Sequence, residues 1–269
     1  MAGRKLLISG GGGGIGAACA RRAAREGWFV LVAGRNRGRL DLIVGELVAL
    51  GGRATAIDLD LEDPASVRGA IEAASRACGD GEPLTALVNA AGIAISAPFL
   101  ADDSTARLFD RHMEVNFHGA RRLIEAFAPA MKAKGHGRIV NVASSAGLRG
   151  YGYTAAYCAS KHALVGYTRA VAQELSGSGV SIAAVCPHFV DSPLTDASVR
   201  RIVEKTKQSE AEARAFLAQQ NPGGRLITCD EVSDAIWSLI EGDENGSVLE
   251  LDGARRVRLE GPVTRRPKT

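Results

Sequence analysis

Lys5-Leu6-Leu7-Ile8-Ser9-Gly10-Gly11-Gly12-Gly13-Gly14-Ile15-Gly16 joins a short apolar run to five consecutive glycines and then to a segment of helical period. Five apolar-rich residues bounded by glycine read as a buried strand. Glycines permit positive φ and let a backbone approach a ligand with no Cβ in the way. A helix that opens straight after them presents free N–H groups and the positive end of its dipole. Strand, glycine turn and helix together form a cradle for a pyrophosphate. Gly11, Gly13 and Gly16 fit one spacing of such turns, Gly10, Gly13 and Gly16 a second, and Gly10, Gly14 and Gly16 a third. The turn therefore specifies a dinucleotide but leaves its register open.

The same alternation continues outward. Strand-like runs recur at Trp28–Ala33, Ala54–Asp58, Thr85–Asn89, Arg138–Ala143, Ser181–Cys186 and Val248–Leu251. Most are apolar throughout, as in strands covered on both faces. Helical patterns lie between them. Leu40, Ile43, Val44, Leu47 and Leu50 fall at helix spacing, and Gly51 follows as a stop. Asp63 and Pro64 read as the N-cap and first residue of another helix. This order predicts an α/β fold with a doubly wound, parallel, seven-stranded sheet in one domain spanning residues 1–269. Residues 193–225 break the alternation. They read as an insertion over the carboxyl ends of the strands, where open α/β sheets bind ligands. Residues 255–269, with Arg255, Arg256, Arg258, Arg265, Arg266 and Lys268, read as a solvated basic tail.

Bulk properties narrow the class. The 33 basic and 30 acidic residues nearly cancel, to a net charge of +3, so neither nucleic acid nor a membrane is an expected partner. No run approaches the ~18 apolar residues of a membrane span. No hydrophobic signal core precedes Lys5. Five cysteines are an odd count without metal-ligand spacing, and Cys19, Cys158 and Cys186 sit among small or apolar neighbours. Buried reduced thiols and a cytoplasmic location are the expectation, with no metal.

The end of the second strand bears on the cofactor. A carboxylate there would hold an adenosine ribose and repel a 2′-phosphate. This chain has Ala33-Gly34-Arg35-Asn36-Arg37 instead. Arg35 can meet a phosphate with a bidentate fork, so NADP(H) is expected over NAD(H). Further on, Tyr157 and Lys161 occupy one helix face at i and i+4. An ammonium near a phenol favours phenolate, which makes the pair a candidate acid–base unit. Ser144 ends the fifth strand and can orient a carbonyl oxygen. Ser145 is adjacent, and periodicity does not choose between them.

In order and spacing, Ser9–Gly16, Asn89-Ala90-Ala91-Gly92, Asn116, Ser144, Tyr157/Lys161 and Pro187–Ser192 resemble the short-chain dehydrogenase/reductase family. The likeness covers about residues 4–192, with a weaker match over 231–253. It selects the register Gly10, Gly14, Gly16, with Ile15 in the same pyrophosphate turn. It implies that Asp60 and Leu61 contact the adenine and that Asn89 and Gly92 form the turn beside the adenosine ribose. It implies that Asn116 holds a water next to the lysine and that Ser144, not Ser145, orients the substrate. Tyr157 is then the acid–base, and Lys161 binds the nicotinamide ribose and lowers the tyrosine pKa. Pro187, Val190 and Ser192 match the loop over the carboxamide and phosphates. The implied activity is hydride transfer between nicotinamide and a carbonyl or secondary alcohol, in a homotetramer or homodimer. An epimerase or dehydratase on the same frame, or a sensor without activity, are the rival readings.

The chain departs from the family pattern in three places. Ala90 replaces a second asparagine, His188 follows Pro187 where a glycine is usual, and Asp252-Gly253-Ala254 replaces Asp-Gly-Gly. Ile95, Leu148, Tyr151, Tyr153, His188 and Phe189 are the expected substrate wall. They are largely apolar and aromatic, fitting a small-molecule ketone or alcohol of some bulk. No basic cluster along this wall points to an anionic substrate.

Overall fold

In a computed structural model, which describes residues 3–79, 81–99 and 103–260, the chain alternates strands and helices almost throughout. In order these are β1 (Lys5–Ser9), α1 (Gly14–Arg25), β2 (Phe29–Gly34), α2 (Arg37–Ala49), β3 (Arg53–Asp58), α3 (Pro64–Cys78), β4 (Ala86–Asn89), α4 (Asp103–Met113), α5 (Gly119–Lys134), β5 (Gly137–Val142), α6 (Ala155–Leu175), β6 (Val180–Pro187), α7 (Pro193–Thr206), α8 (Glu210–Gln219), α9 (Cys229–Glu241), β7 (Val248–Leu251) and β8 (Arg256–Glu260). A five-residue π-helical stretch, Glu114–His118, joins α4 to α5.

The strands form one sheet in the order β3-β2-β1-β4-β5-β6-β7-β8. The first seven are parallel, and the order reverses between β1 and β4. That reversal opens the crevice in which such sheets bind ligands. One apolar layer packs α1, α2 and α9 on one face of the sheet, and a second packs α3, α5 and α6 on the other. α1 buries only glycine, alanine and cysteine side chains, which lets α9 approach closely. The rings of Trp28 and Trp237 meet edge-on at 5.6 Å in the same layer. Asp63 caps α3 by accepting the Ala65 N–H at 2.8 Å, with Pro64 at the first helical position, as expected from the sequence.

The sheet has one strand more than expected. β8 runs antiparallel to β7 and takes up the start of the segment read as a basic tail. The cause is a tight reversal. Gly253 sits at φ +87°, and the Asp252 carboxylate accepts the N–H groups of Ala254 and Arg255. Arg256 then reaches Ser238, and Arg258 pairs with Glu244. The arginines that made this segment look solvated blunt an exposed sheet edge. Arg265, Arg266 and Lys268 lie outside the described residues. No helix among the described residues is long and apolar enough to cross a membrane.

Candidate active site

A cleft of about 1090 Å³ opens along the carboxyl ends of the strands. Drug-sized pockets span roughly 300–1,000 Å³, so the space exceeds that of one small ligand. Its first wall is the glycine turn. Gly10 adopts φ +75°, and a Cβ there would lie 2.7 Å from the Ala91 nitrogen. A Cβ on Gly16 would sit 2.2 Å from the Gly10 carbonyl oxygen. A Cβ on Gly14 would strike the Cys229 sulfur and the Ser192–Pro193 segment, which closes over the turn. α1 begins immediately after, with no acid in its first turn. A diphosphate therefore meets bare backbone, a helix N-terminus and no opposing charge, and the residues present fit such a group.

At the far end of this wall, Gly34, Arg35, Arg39, Asp60 and Leu61 line the cleft. The Arg35 side chain is half exposed and bonds Glu62 at 3.1 Å. Glu62 also receives both arms of Arg111, which holds its carboxyl below the usual range. The Arg39 guanidinium has no ion-pair partner among the described residues. Sequence reasoning missed Arg39, although its place in the first turn of α2 was the available signal.

The second wall holds the polar cluster. Tyr157 and Lys161 lie on α6, and Ser144 follows β5. Ser144 lies beside the Tyr157 phenol, whereas Ser145 accepts the Tyr151 hydroxyl at 2.9 Å. The choice left open by periodicity is thus made by the fold: each serine serves a different tyrosine. Burial pushes the Tyr157 phenol up to about 12, and the neighbouring Ser144 side chain opposes that rise. Burial likewise lowers the Lys161 ammonium to about 8. Lys161 donates to the Val142 carbonyl at 2.9 Å, and its nitrogen lies 5.9 Å from the Tyr157 ring centroid. In this geometry desolvation, rather than the lysine, governs the phenol.

Asn116 sits in the π-helical stretch, a distortion often found at functional sites. Its side chain accepts the Ile93 N–H at 2.8 Å and donates to the Ile93 carbonyl and to Ser160. This pins the β4 loop, including Gly92, beside Lys161. His112, one turn earlier, was also missed by sequence reasoning, because a lone histidine carries little signal. It is fully buried with its ring 6.2 Å from that of Tyr157. Nδ1 donates to the Leu108 carbonyl, and Nε2 accepts the Ile95 N–H. Burial lowers its pKa, in keeping with this neutral form.

Most residues expected at the site converge on the cleft. Gly10, Gly14, Ile15, Gly16, Arg35, Asp60, Leu61, Gly92, Ser144, Tyr157, Lys161, Pro187, Val190 and Ser192 line it, as do Ile95, Tyr151, Tyr153, His188 and Phe189. Three do not. Asn89 is turned into the sheet, where it bonds Ser9 and Asn141. Leu148 packs in a small apolar cluster with Leu164 and Val165. Asn116 stands behind the lining, as described above. His188 is not an exposed loop residue. Its side chain is 3% exposed and meets Glu250 at 2.8 Å, and Arg149 pairs with the same carboxylate.

The third wall belongs to the insertion. α7 and α8 hold together through Val199, Ala213 and Leu217, with Phe189 and Ile202 against them. Contrary to the expectation of a wall without basic groups, α7 turns Arg201 and Lys205 toward the cleft.

Known proteins resemble this chain over most of its length. Residues 4–202 match the family model described as short chain dehydrogenase. A 2-(S)-hydroxypropyl-CoM dehydrogenase of Xanthobacter autotrophicus is 34% identical over 92% of this chain and 94% of its own. A cyclohexanol dehydrogenase of Acinetobacter is 32% identical over 92% of this chain and 93% of its own. Among solved structures, an actinorhodin polyketide ketoreductase with NADPH superposes with a TM-score of 0.85 at 30% identity, covering 94% of this chain and 97% of that one. The chain belongs to the short-chain dehydrogenase family and is an oxidoreductase of alcohol and ketone groups.

Proposed function

We propose that this enzyme works with NADP(H), that Tyr157 exchanges a proton with the substrate oxygen, and that carbonyl reduction is its working direction. One observation carries the reading: a partly buried phenol, with Ser144 and the Lys161 ammonium beside it, lines the same cleft as an unobstructed glycine turn. The glycine turn and the N-terminus of α1 would hold the diphosphate. Arg35 and Arg39 support NADP(H), because two guanidinium groups flank a strand end that carries no acid. A solved relative is described with NADPH. A bound nicotinamide supplies the two electrons that carbonyl reduction requires.

The protein's part is geometry and proton handling. Ser144 and Tyr157 together bind the carbonyl oxygen and fix its carbon against the cofactor side of the cleft. Tyr157 gives its proton to the oxygen as charge develops there. Its raised pKa keeps it protonated at neutral pH, the form that reduction needs. Lys161 supplies positive charge beside the phenolate left behind, and Asn116 fixes the loop that shapes the space around Lys161. Relatives named as dehydrogenases or ketoreductases of small, cyclic and polyketide substrates support a small-molecule carbonyl or secondary alcohol as substrate.

Tyr157→Phe tests the reading on a carbonyl panel with NADPH. General acid–base groups contribute about 10²–10⁴-fold, so kcat should fall by at least a hundredfold while NADPH still quenches tryptophan fluorescence. A variant with near-normal turnover would end the assignment.

A further inference from the structure

We infer that Arg201 and Lys205 form an anion-holding subsite, and that the preferred substrate is a carbonyl compound bearing a terminal carboxylate, sulfonate or phosphate. This rests on the proposed reduction at the same cleft and adds the substrate class.

The two cations lie four residues apart on α7, on one helix face that lines the cleft. Most arginines of this chain meet a carboxylate, as Arg111 does with Glu62 and Arg214 does with Asp191 and Asp196. Arg201 and Lys205 form no ion pair with any described carboxylate. Arg201 instead donates to a neutral carbonyl, that of Ala94, at 2.8 Å. Asp60 is the one carboxylate among the residues lining the cleft, and it belongs to the adenine end. Among the described lining residues, the substrate half thus carries Arg201 and Lys205 besides Lys161, and no carboxylate.

The subsite is tied to the chemistry by a short path. Arg201 holds Ala94, the next residue donates its N–H to His112, and the His112 ring packs on Tyr157. An anionic group held by α7 would leave the chain of the substrate to run across this apolar stretch toward the Ser144–Tyr157 pair. Arginine keeps four further N–H donors beyond the one used on Ala94, enough for an oxyanion. Lys205 is exposed at the mouth, where a strongly hydrated ammonium can meet an entering anion.

Laevulinate and its methyl ester share a carbon skeleton and differ in charge. A ketone sulfonate and a ketone phosphate of matched length extend the set and distinguish which anion fits. With NADPH, wild type should favour the anions over the ester in kcat/KM. In Arg201→Gln/Lys205→Gln that anion-to-ester ratio should fall at least tenfold, and Arg201→Lys should recover part of it. A merely structural role for Arg201 would depress both substrates together and leave the ratio unchanged, which overturns the inference. Calorimetry of laevulinate on the NADP⁺-loaded protein reads binding without turnover. If no ketone is reduced, so that the proposed reaction itself fails, tighter binding of laevulinate to wild type than to the double variant still supports the subsite. Equal binding to both refutes it.

Discussion

The nucleotide half and the substrate half of the cleft are built on different principles. From β1 through α1 to β2 the ligand surface is backbone. Its glycines are required by contacts of less than 3 Å with Ala91 and with the turn's own carbonyl, and it is backed by the larger of the apolar layers. From β6 through α7 and α8 the surface is side chain. It stands on a small cluster around Val199, Ala213 and Leu217. A backbone surface admits one ligand shape and few substitutions. A side-chain surface on a separate helix pair can change its specificity without disturbing the sheet.

Substitutions in each half should expose this contrast. The largest effect is expected at Gly16→Ala, whose Cβ has no space beside the Gly10 carbonyl. Overpacking of this kind costs about 1–3 kcal/mol or more, so NADPH affinity should drop by roughly a hundredfold in fluorescence titration. Arg35→Glu comes next. It removes a cation and sets a second carboxylate against Glu62. The preference for NADPH over NADH, read as the ratio of kcat/KM values, should fall by about ten- to a hundredfold on losing a charge-assisted contact. An unchanged ratio would remove Arg35 from the cofactor site.

The pH dependence of Lys161 sharpens the comparison at the junction of the halves. Its folded pKa, about 8, lies below the ordinary value of 10.5. The folded protein therefore holds fewer protons than the unfolded chain between those values, and this group's contribution to stability rises with pH across that window. Relative to Lys161→Met, wild type should gain about 2 kcal/mol between pH 8 and pH 10 in urea titrations. Over the same range the reduction rate should decline, because the ammonium is lost as pH passes 8. A flat rate profile would show that the charge is not used. Smaller still is Leu217→Ala in α8. It should raise KM for a ketone severalfold through loss of the cluster under α7, with NADPH affinity held within about twofold. Gly152→Ala, in open space at the mouth, should leave both constants unchanged.

The fold was legible because its signals are local. Apolar runs at β1, β4, β5 and β6, the Asp63-Pro64 cap and the glycine turn all declare themselves within a few residues. β8 escaped because arginine-rich composition resembles solvated tail, and the reversal at Asp252–Gly253 that makes it a strand is set by a backbone turn. The polar cluster was legible as a set of residue types, and a family likeness supplied their roles. Its energetics were not. The expectation that Lys161 lowers the Tyr157 pKa considered two groups alone, whereas the folded cleft desolvates both.

What the sequence determined by itself was the order of strands and helices, the glycine turn and the Tyr157–Lys161 spacing, because each depends on neighbours within one or two helical turns. The tertiary structure alone decided that Asn89 turns into the sheet, that His112 backs the phenol, and that α7 aims Arg201 and Lys205 into the cleft. Those facts depend on how separate elements are rotated against one another. Rotation is fixed by packing between residues far apart in the chain, which no local spacing records.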